Sequence, residues 1–290
     1  MELLRTLATL AEPPVPQHRP LAELLDLGPE PDRAAFTDLF ELQLYPYASF
    51  YLGAQGLLGG EARDRIAGFW RALGETPPPE PDHLSTMLAL AARLAELEDE
   101  ASRPAPRAGW RRARRAWLWE HLLSWLPVYC DKVAAIGPPY YRRWAALVMA
   151  ALADEARAVG DQDSRSLHLR EAPPMADPRQ EGGEAFLAAL LAPVRSGLIL
   201  VRRDLERTAR ELGLGCRAGE RHFALRALLN QEAGGVLGWL AAFAAEAAVG
   251  YRELEPGARC AAYWAERATV TAELLDELAR ASSSSSRQRT

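Results

Sequence analysis

Glu80-Pro81-Asp82-His83-Leu84 opens onto apolar residues at Leu84, Met87, Leu88, Ala91, Leu94 and Ala95. These positions recur every three or four residues, the period of one helix face. Pro77-Pro78-Pro79 just before them cannot lie in a helix interior, because proline lacks the N–H and clashes with the preceding turn. The stretch therefore reads as a loop entering a helix. Asp82 is expected to cap that helix, its carboxylate accepting from a backbone N–H that has no partner within the helix.

The same period extends in both directions. Upstream, Pro31-Asp32 marks a helix start with Asp32 as its cap. The segment 35–44 is apolar at helical spacing until Tyr45-Pro46-Tyr47 interrupts it. A further stretch, 48–58, ends at Gly59-Gly60, and 61–73 follows with Ile66, Phe69, Trp70 and Leu73 on one face. Downstream, 102–109 reads as a Pro/Arg linker. A long aromatic helix over 110–135 is expected to kink at Pro127, and another helix covers 140–158 after Pro138-Pro139.

Residues 160–183 are polar, rich in proline and glycine, and without periodicity, which predicts a loop or linker. Helical patterns resume at 184–191, 203–212, 218–230, 234–249 and 258–281. Sustained two-residue alternation is absent, and Ser196-Gly197-Leu198-Ile199-Leu200-Val201 is the one ambiguous apolar run. The expected class is all-α: a proline-rich arm over 1–30, a helical core over 31–159, a linker over 160–183, a helical region over 184–281 and a disordered tail over 282–290.

Composition narrows the functions. Hydrophobic residues make up 49% of the 290, enough for a sizeable core. A net charge of −5 gives no support for nonspecific nucleic-acid binding. Cys130, Cys216 and Cys260 are an odd, widely spaced set, as in a reducing compartment. The first nine residues lack the basic-then-apolar order of a secretory leader. The most apolar stretch, 236–249, is short for a membrane span and contains Glu246. A phosphate-cradling GxxxxGK[ST] loop, a dinucleotide GxGxxG, HExxH and a Gly-x-Ser-x-Gly elbow are all missing. No cofactor and no catalytic residue is expected.

The second notable motif is Trp117-Leu118-Trp119-Glu120-His121-Leu122-Leu123-Ser124-Trp125. Trp117, His121 and Ser124 share a helix face, with Trp125 beside them. A histidine in such surroundings is more often a satisfied core residue than a ligand. The aromatic cluster Tyr45, Tyr47, Phe50 and Tyr51 also reads first as core. Arg111, Arg112, Arg114 and Arg115 form a basic run, most simply a solvated face.

The Glu80–Leu84 motif, the His121/Trp125 spacing and the all-α organisation together resemble the TorD/DmsD/NarJ family, chaperones that mature molybdenum-containing oxidoreductases and bind their leader peptides. The resemblance spans roughly 35–158. It implies a TorD-like helical bundle with an additional C-terminal helical region. It also implies a non-enzymatic cytoplasmic chaperone that binds the leader or N-terminal segment of a molybdopterin oxidoreductase catalytic subunit and assists cofactor insertion before export. Carried over residue by residue, it assigns leader binding to Glu80, Pro81, Asp82 and His83. Trp117, His121, Trp125 and Tyr51 join them as walls, since guanidinium groups and an apolar leader call for carboxylates beside aromatic surfaces. Neither nucleic acid nor a membrane span is expected, and both a monomer and a domain-swapped dimer are compatible with a flexible 160–183 connection.

Two other classes stay open. A helix-turn-helix over 203–229, with Arg221, His222 and Arg226 on its second helix, would make a DNA-binding regulator. A histidine–acid or metal site would make an enzyme, although further ligands at metal spacing are missing from the sequence.

Overall fold

The computed structural model describes residues 2–162, 164–216, 219–255 and 257–287. Among them the regular elements are helical: α1 (Glu2–Thr9), α2 (Arg19–Leu24), α3 (Arg33–Phe36), α4 (Ala48–Leu52), α5 (Gly60–Ala72), α6 (Leu84–Glu100), α7 (Pro104–Ala116), α8 (Leu126–Ile136), α9 (Pro139–Val159), α10 (Leu167–Arg170), α11 (Pro178–Glu181), α12 (Gly183–Leu191), α13 (Pro193–Ser196), α14 (Arg202–Leu212), α15 (Arg221–Gln231), α16 (Ala233–Arg252) and α17 (Ala258–Arg287). The strand-like pairing among the described residues is one isolated antiparallel bridge, Tyr47 to His83. The chain is an all-α bundle.

Two helices widen at their C-terminal ends. Thr37–Gln43 continues α3 and Trp117–Leu122 continues α7 as π-helical turns, closed by Leu44 N–H to Leu39 C=O at 2.7 Å and Leu123 N–H to Leu118 C=O at 2.8 Å. The extra residue in each turn rotates the side chains that follow. The second widened turn carries Trp117, Glu120 and His121.

Several boundaries differ from the sequence reading, each for a physical reason. The N-terminus read as a proline-rich arm is docked on the core. Leu4, Leu7 and Leu10 are buried, α1 packs against α6 and α9, and the Trp144 indole donates to Leu7 C=O at 3.0 Å. The expected linker 102–109 begins α7, because Pro104 occupies the first helical position, where its missing N–H had no partner to lose. The expected helix over 110–135 does not bend at Pro127. It stops at Leu123–Trp125, and Pro127 sits in the first turn of α8. Asp32 caps α3 as expected, accepting from Ala35 N–H at 2.8 Å. At the other end, α17 continues through Arg287 instead of yielding to a tail at Ser282. The last three residues of the expected tail lie outside the described residues.

The C-terminal region packs on the core instead of trailing from it. The Trp264 indole donates to Ser124 C=O at 2.9 Å, and the Tyr263 hydroxyl to Val194 C=O at 2.7 Å. Lys132, the single lysine of the chain, reaches both Asp204 oxygens at 3.0 and 2.8 Å. Of the ambiguous run Ser196–Val201, Ser196 closes α13 and Leu198–Val201 is neither helix nor strand and is buried; Ser196 C=O accepts from the Thr271 hydroxyl of α17 at 2.8 Å. Gly197 permits that approach: it has φ +74°, and a Cβ there would sit 2.4 Å from Ala268 N. α16 has the length and apolarity of a membrane span, but pairs with α17 and buries Val236, Leu237, Leu240, Ala244 and Ala248.

Candidate functional site

The Glu80–Leu84 motif is pinned to the loop before α4. Ala48 N–H donates to Asp82 C=O at 2.9 Å, and Leu84 N–H to Pro46 C=O at 2.8 Å. Asp82 does not cap its own helix. Its carboxylate, 2% exposed, accepts from Ser49 N–H at 3.3 Å and so caps α4 across the bridge. The cap of α6 is His83, whose Nδ1 accepts from Ser85 N–H at 3.3 Å. The antiparallel bridge explains the exchange, because it turns the Asp82 side chain towards α4.

The capped helix carries the contact further. Ser49 Oγ accepts from Gly59 N–H at 2.9 Å. Asp82 is therefore one residue removed from the glycine-rich loop between α4 and α5. That loop, Leu52 through Ala62, forms one side of an open cleft of about 470 Å³. The other side is His168, Glu171, Ala172 and Pro173, with Arg65 between them. Leu57 and Leu58 on the lip are 63% and 54% exposed. Arg65 bridges Glu61 and Glu171. Cleft size and mixed lining suit a few side chains of a ligand with one or two polar anchors.

Of the eight residues assigned to leader binding, only two reach the surface. Glu80 is exposed and His83 half-buried; Pro81 and Asp82 are buried. Trp117, Trp125 and Tyr51 are buried to within 1%. Tyr51 stacks on Trp125 with ring centroids 5.2 Å apart and meets Tyr129 edge-on; its hydroxyl donates to Tyr45 C=O at 2.9 Å. The Trp125 indole donates to His121 C=O at 3.0 Å, and the Trp117 indole to Met87 C=O at 3.1 Å. These aromatics are satisfied core residues, and none of the three lines the cleft. A face inferred from helical spacing does not say whether later chain covers it.

His121 stands between core and cleft. Its Nδ1 is 3.2 Å from Nε2 of His168, and its ring also touches Phe69 and Trp117. Burial pushes the His168 imidazole down to about 4, with the Arg65 charge adding to it and Glu61 opposing. Burial also pushes His121 well below its ordinary value, reinforced by His168 and Arg65. Both rings are neutral at pH 7, one donating to the other.

Around the motif, burial lowers the His83 pKa against the opposing charges of Glu12, Glu80 and Asp82. Its Nδ1 lies 2.7 Å from Ser85 Oγ, which donates to Glu12. The Tyr47 hydroxyl is raised to about 12, by burial first and then by its hydrogen bond to Glu80 and that carboxylate's charge. Glu12, Tyr47, Glu80 and His83 thus form an acid-rich cluster around the motif.

Sequence reasoning missed the cleft. Its lip is a glycine-rich loop that matches no phosphate-binding pattern, and His168 lies in a segment without periodicity. The basic run on α7 divides in two: Arg114 turns inward to Glu98 and Glu155 and the exposed Arg111 also pairs with the buried Glu98, while Arg112 and Arg115 face out. The basic residues of α15 differ in setting, Arg221 inward and Arg226 at the surface. Arg221 donates to Leu200 C=O at 2.7 Å and lies over the Phe50 ring, and Arg226 pairs with Glu184. The described residues hold no cluster of three or more His, Cys, Asp or Glu side chains suited to a metal.

Comparison with known proteins places this geometry. Residues 7–131 match the model of the family described as nitrate reductase delta subunit. The match begins within α1, consistent with the packing of the N-terminus into the core, and ends in α8. No individual curated protein matches the chain.

Proposed function

We propose that the chain, whose residues 7–131 match the nitrate reductase delta subunit family, is a cytoplasmic chaperone for the catalytic subunit of one molybdopterin oxidoreductase. It binds the leader or N-terminal segment of that subunit, holds the apoenzyme while cofactor is inserted, and releases it afterwards. The observation that carries this reading is the hydrogen-bonded path from the buried Asp82 through Ser49 to the cleft lip at Gly59.

In this reading Asp82 and Pro81 position the site and do not touch the ligand. Leu57 and Leu58 receive apolar side chains of the bound segment. Glu80 and His83, in the acid-rich cluster, receive its cationic end, where a carboxylate and a guanidinium pair with two parallel hydrogen bonds. Order imposed on a flexible leader opposes binding, so the contacts are few and the complex is releasable.

The test is purification of the tagged full chain from its own host, with mass spectrometry of co-purifying proteins. Recovery of a molybdopterin oxidoreductase catalytic subunit from wild type, and its loss from Leu57→Ser/Leu58→Ser, is the expected result. Absence of any such subunit when these enzymes are expressed overturns the reading.

A further inference from the structure

We infer that residues 164–173 are a strap closed over a second, aromatic half of the binding surface, formed by Phe69, Trp117 and His121. The inference rests on the chaperone reading and adds to it the apolar wall that the bound segment occupies.

The strap lies outside the family-matched region and contains a single helical turn, α10. Its apolar and aromatic contribution to the interior is His168 and Leu169. Polar bonds hold it to both halves of the molecule. Glu120 is the main anchor: its Oε2 accepts from Leu167 N–H at 2.7 Å, its Oε1 from Gln162 Nε2 at 2.6 Å, and its backbone C=O from Ser166 Oγ at 2.9 Å. Arg65 holds Glu171, Arg267 donates to Ala172 C=O at 2.8 Å, and Arg165 pairs with Glu266 at 2.7 Å. Beneath it the rings of Phe69, Trp117 and His121 lie in mutual contact, 4.9 to 5.4 Å between centroids.

The cleft supplies the second argument: His168, Glu171, Ala172 and Pro173 of the strap form part of its lining. Lifting the strap removes His168 from His121 and joins the cleft to the aromatic wall, and an apolar helix then lies between that wall and Leu57–Leu58. Surface bonds that exchange for water are weaker constraints than core packing, so the strap yields before α5 or the π-helical turn does. Glu120 is a positioning residue of this device.

The experiment compares the full wild-type chain with Glu120→Ala, which keeps the aromatic wall and removes the side-chain anchor. Hydrogen exchange of the 164–171 amides and carbethoxylation of His121, located by mass spectrometry, read strap opening without a ligand. Fluorescence anisotropy then reads binding to synthetic N-terminal segments of the molybdopterin oxidoreductase catalytic subunits of the same host. The expected result is at least tenfold faster exchange and His121 modification, confined to the strap and its wall, with severalfold tighter peptide binding, because the closed fraction no longer reduces the apparent affinity. Arg65→Gln, which frees Glu171, gives a second opening variant should Glu120→Ala lose cooperative unfolding. A His121 as unreactive in the opened variants as in wild type overturns the strap. So does an opened strap with unchanged peptide affinity. Failure of every peptide to bind either protein defeats the chaperone reading instead, while the exchange result still decides whether the strap opens.

Discussion

The carboxylate of Asp82 accepts a hydrogen bond from Ser49 N–H, thirty-three positions earlier, and the Ser49 hydroxyl accepts in turn from Gly59 N–H. A residue that the sequence marks as the cap of its own helix, and the family resemblance as a leader contact, is thus a buried support for a loop that lines a cleft. The relationship separates residues that shape the site from residues that touch what binds there.

Asp82→Ala removes the cap of α4 and leaves a buried N–H without a partner. The expected loss of stability is about 1–3 kcal/mol. Asp82→Asn, which retains a carbonyl acceptor, loses less. Urea unfolding measures the difference, and faster exchange at Ser49 and Gly59 locates it. A destabilisation as small as that of Glu80→Gln, on the exposed side of the same motif, would contradict the capping role.

Protonation opposes folding at His168. Its pKa falls from 6.5 to about 4 in the native chain, and the unfolded chain keeps the ordinary value. The stability of the neutral form is therefore fully present above about pH 6.5 and declines as pH falls towards 4, by about 3 kcal/mol in all. His121, also lowered, adds to the same slope. Urea midpoints between pH 8 and pH 4 measure it, and His168→Asn flattens the curve. An unchanged slope in that variant contradicts the assignment.

How much of this was legible in the sequence depends on what each residue's role requires. The helical class and the loop-to-helix turn at Glu80–Leu84 follow from local periodicity and proline chemistry, and both are present in the fold. The burial of Tyr51, Trp117 and Trp125 was not legible. A helix face has one appearance in sequence whether solvent, ligand or a distant helix covers it, and the bundle's later helices and the 164–173 segment complete the cover. The exchange of capping roles between Asp82 and His83 depends on a bridge between segments more than thirty residues apart, which no local pattern encodes. His168 was invisible for the same reason: its significance is its contact with His121, |i−j| = 47.

Lys132 gives a probe of how the two halves are joined. Its side chain and that of Asp204 are 12% and 8% exposed, and Asp204 also accepts from Val201 N–H at 2.9 Å. Lys132→Met leaves that carboxylate unpaired, which is expected to destabilise the chain by about 3 kcal/mol. Because Lys132 is the sole lysine, an amine-reactive reagent followed by peptide mass spectrometry reports its protection. Native protein should react there far more slowly than protein unfolded in urea. Equal rates would show that α14 is not held to α8.

Trp125→Ala deletes a side chain that is stacked on Tyr51 and fully buried. The cavity and lost contacts are expected to lower stability by about 3–5 kcal/mol. Reduced ligand binding in this variant should disappear once the measurement is corrected for the folded fraction. A folded, fully stable Trp125→Ala that fails to bind would restore Trp125 as a ligand contact.

The most direct measurement is the affinity of fluorescent N-terminal segments of the host's molybdopterin oxidoreductase catalytic subunits, the proposed partners, for wild type and for Leu57→Ser/Leu58→Ser. Both leucines are exposed, so the double variant should melt as wild type does. The account predicts at least tenfold weaker binding with unchanged unfolding. Equal affinity in a fully folded variant would show that the segment binds elsewhere and that the cleft is not the chaperone's site.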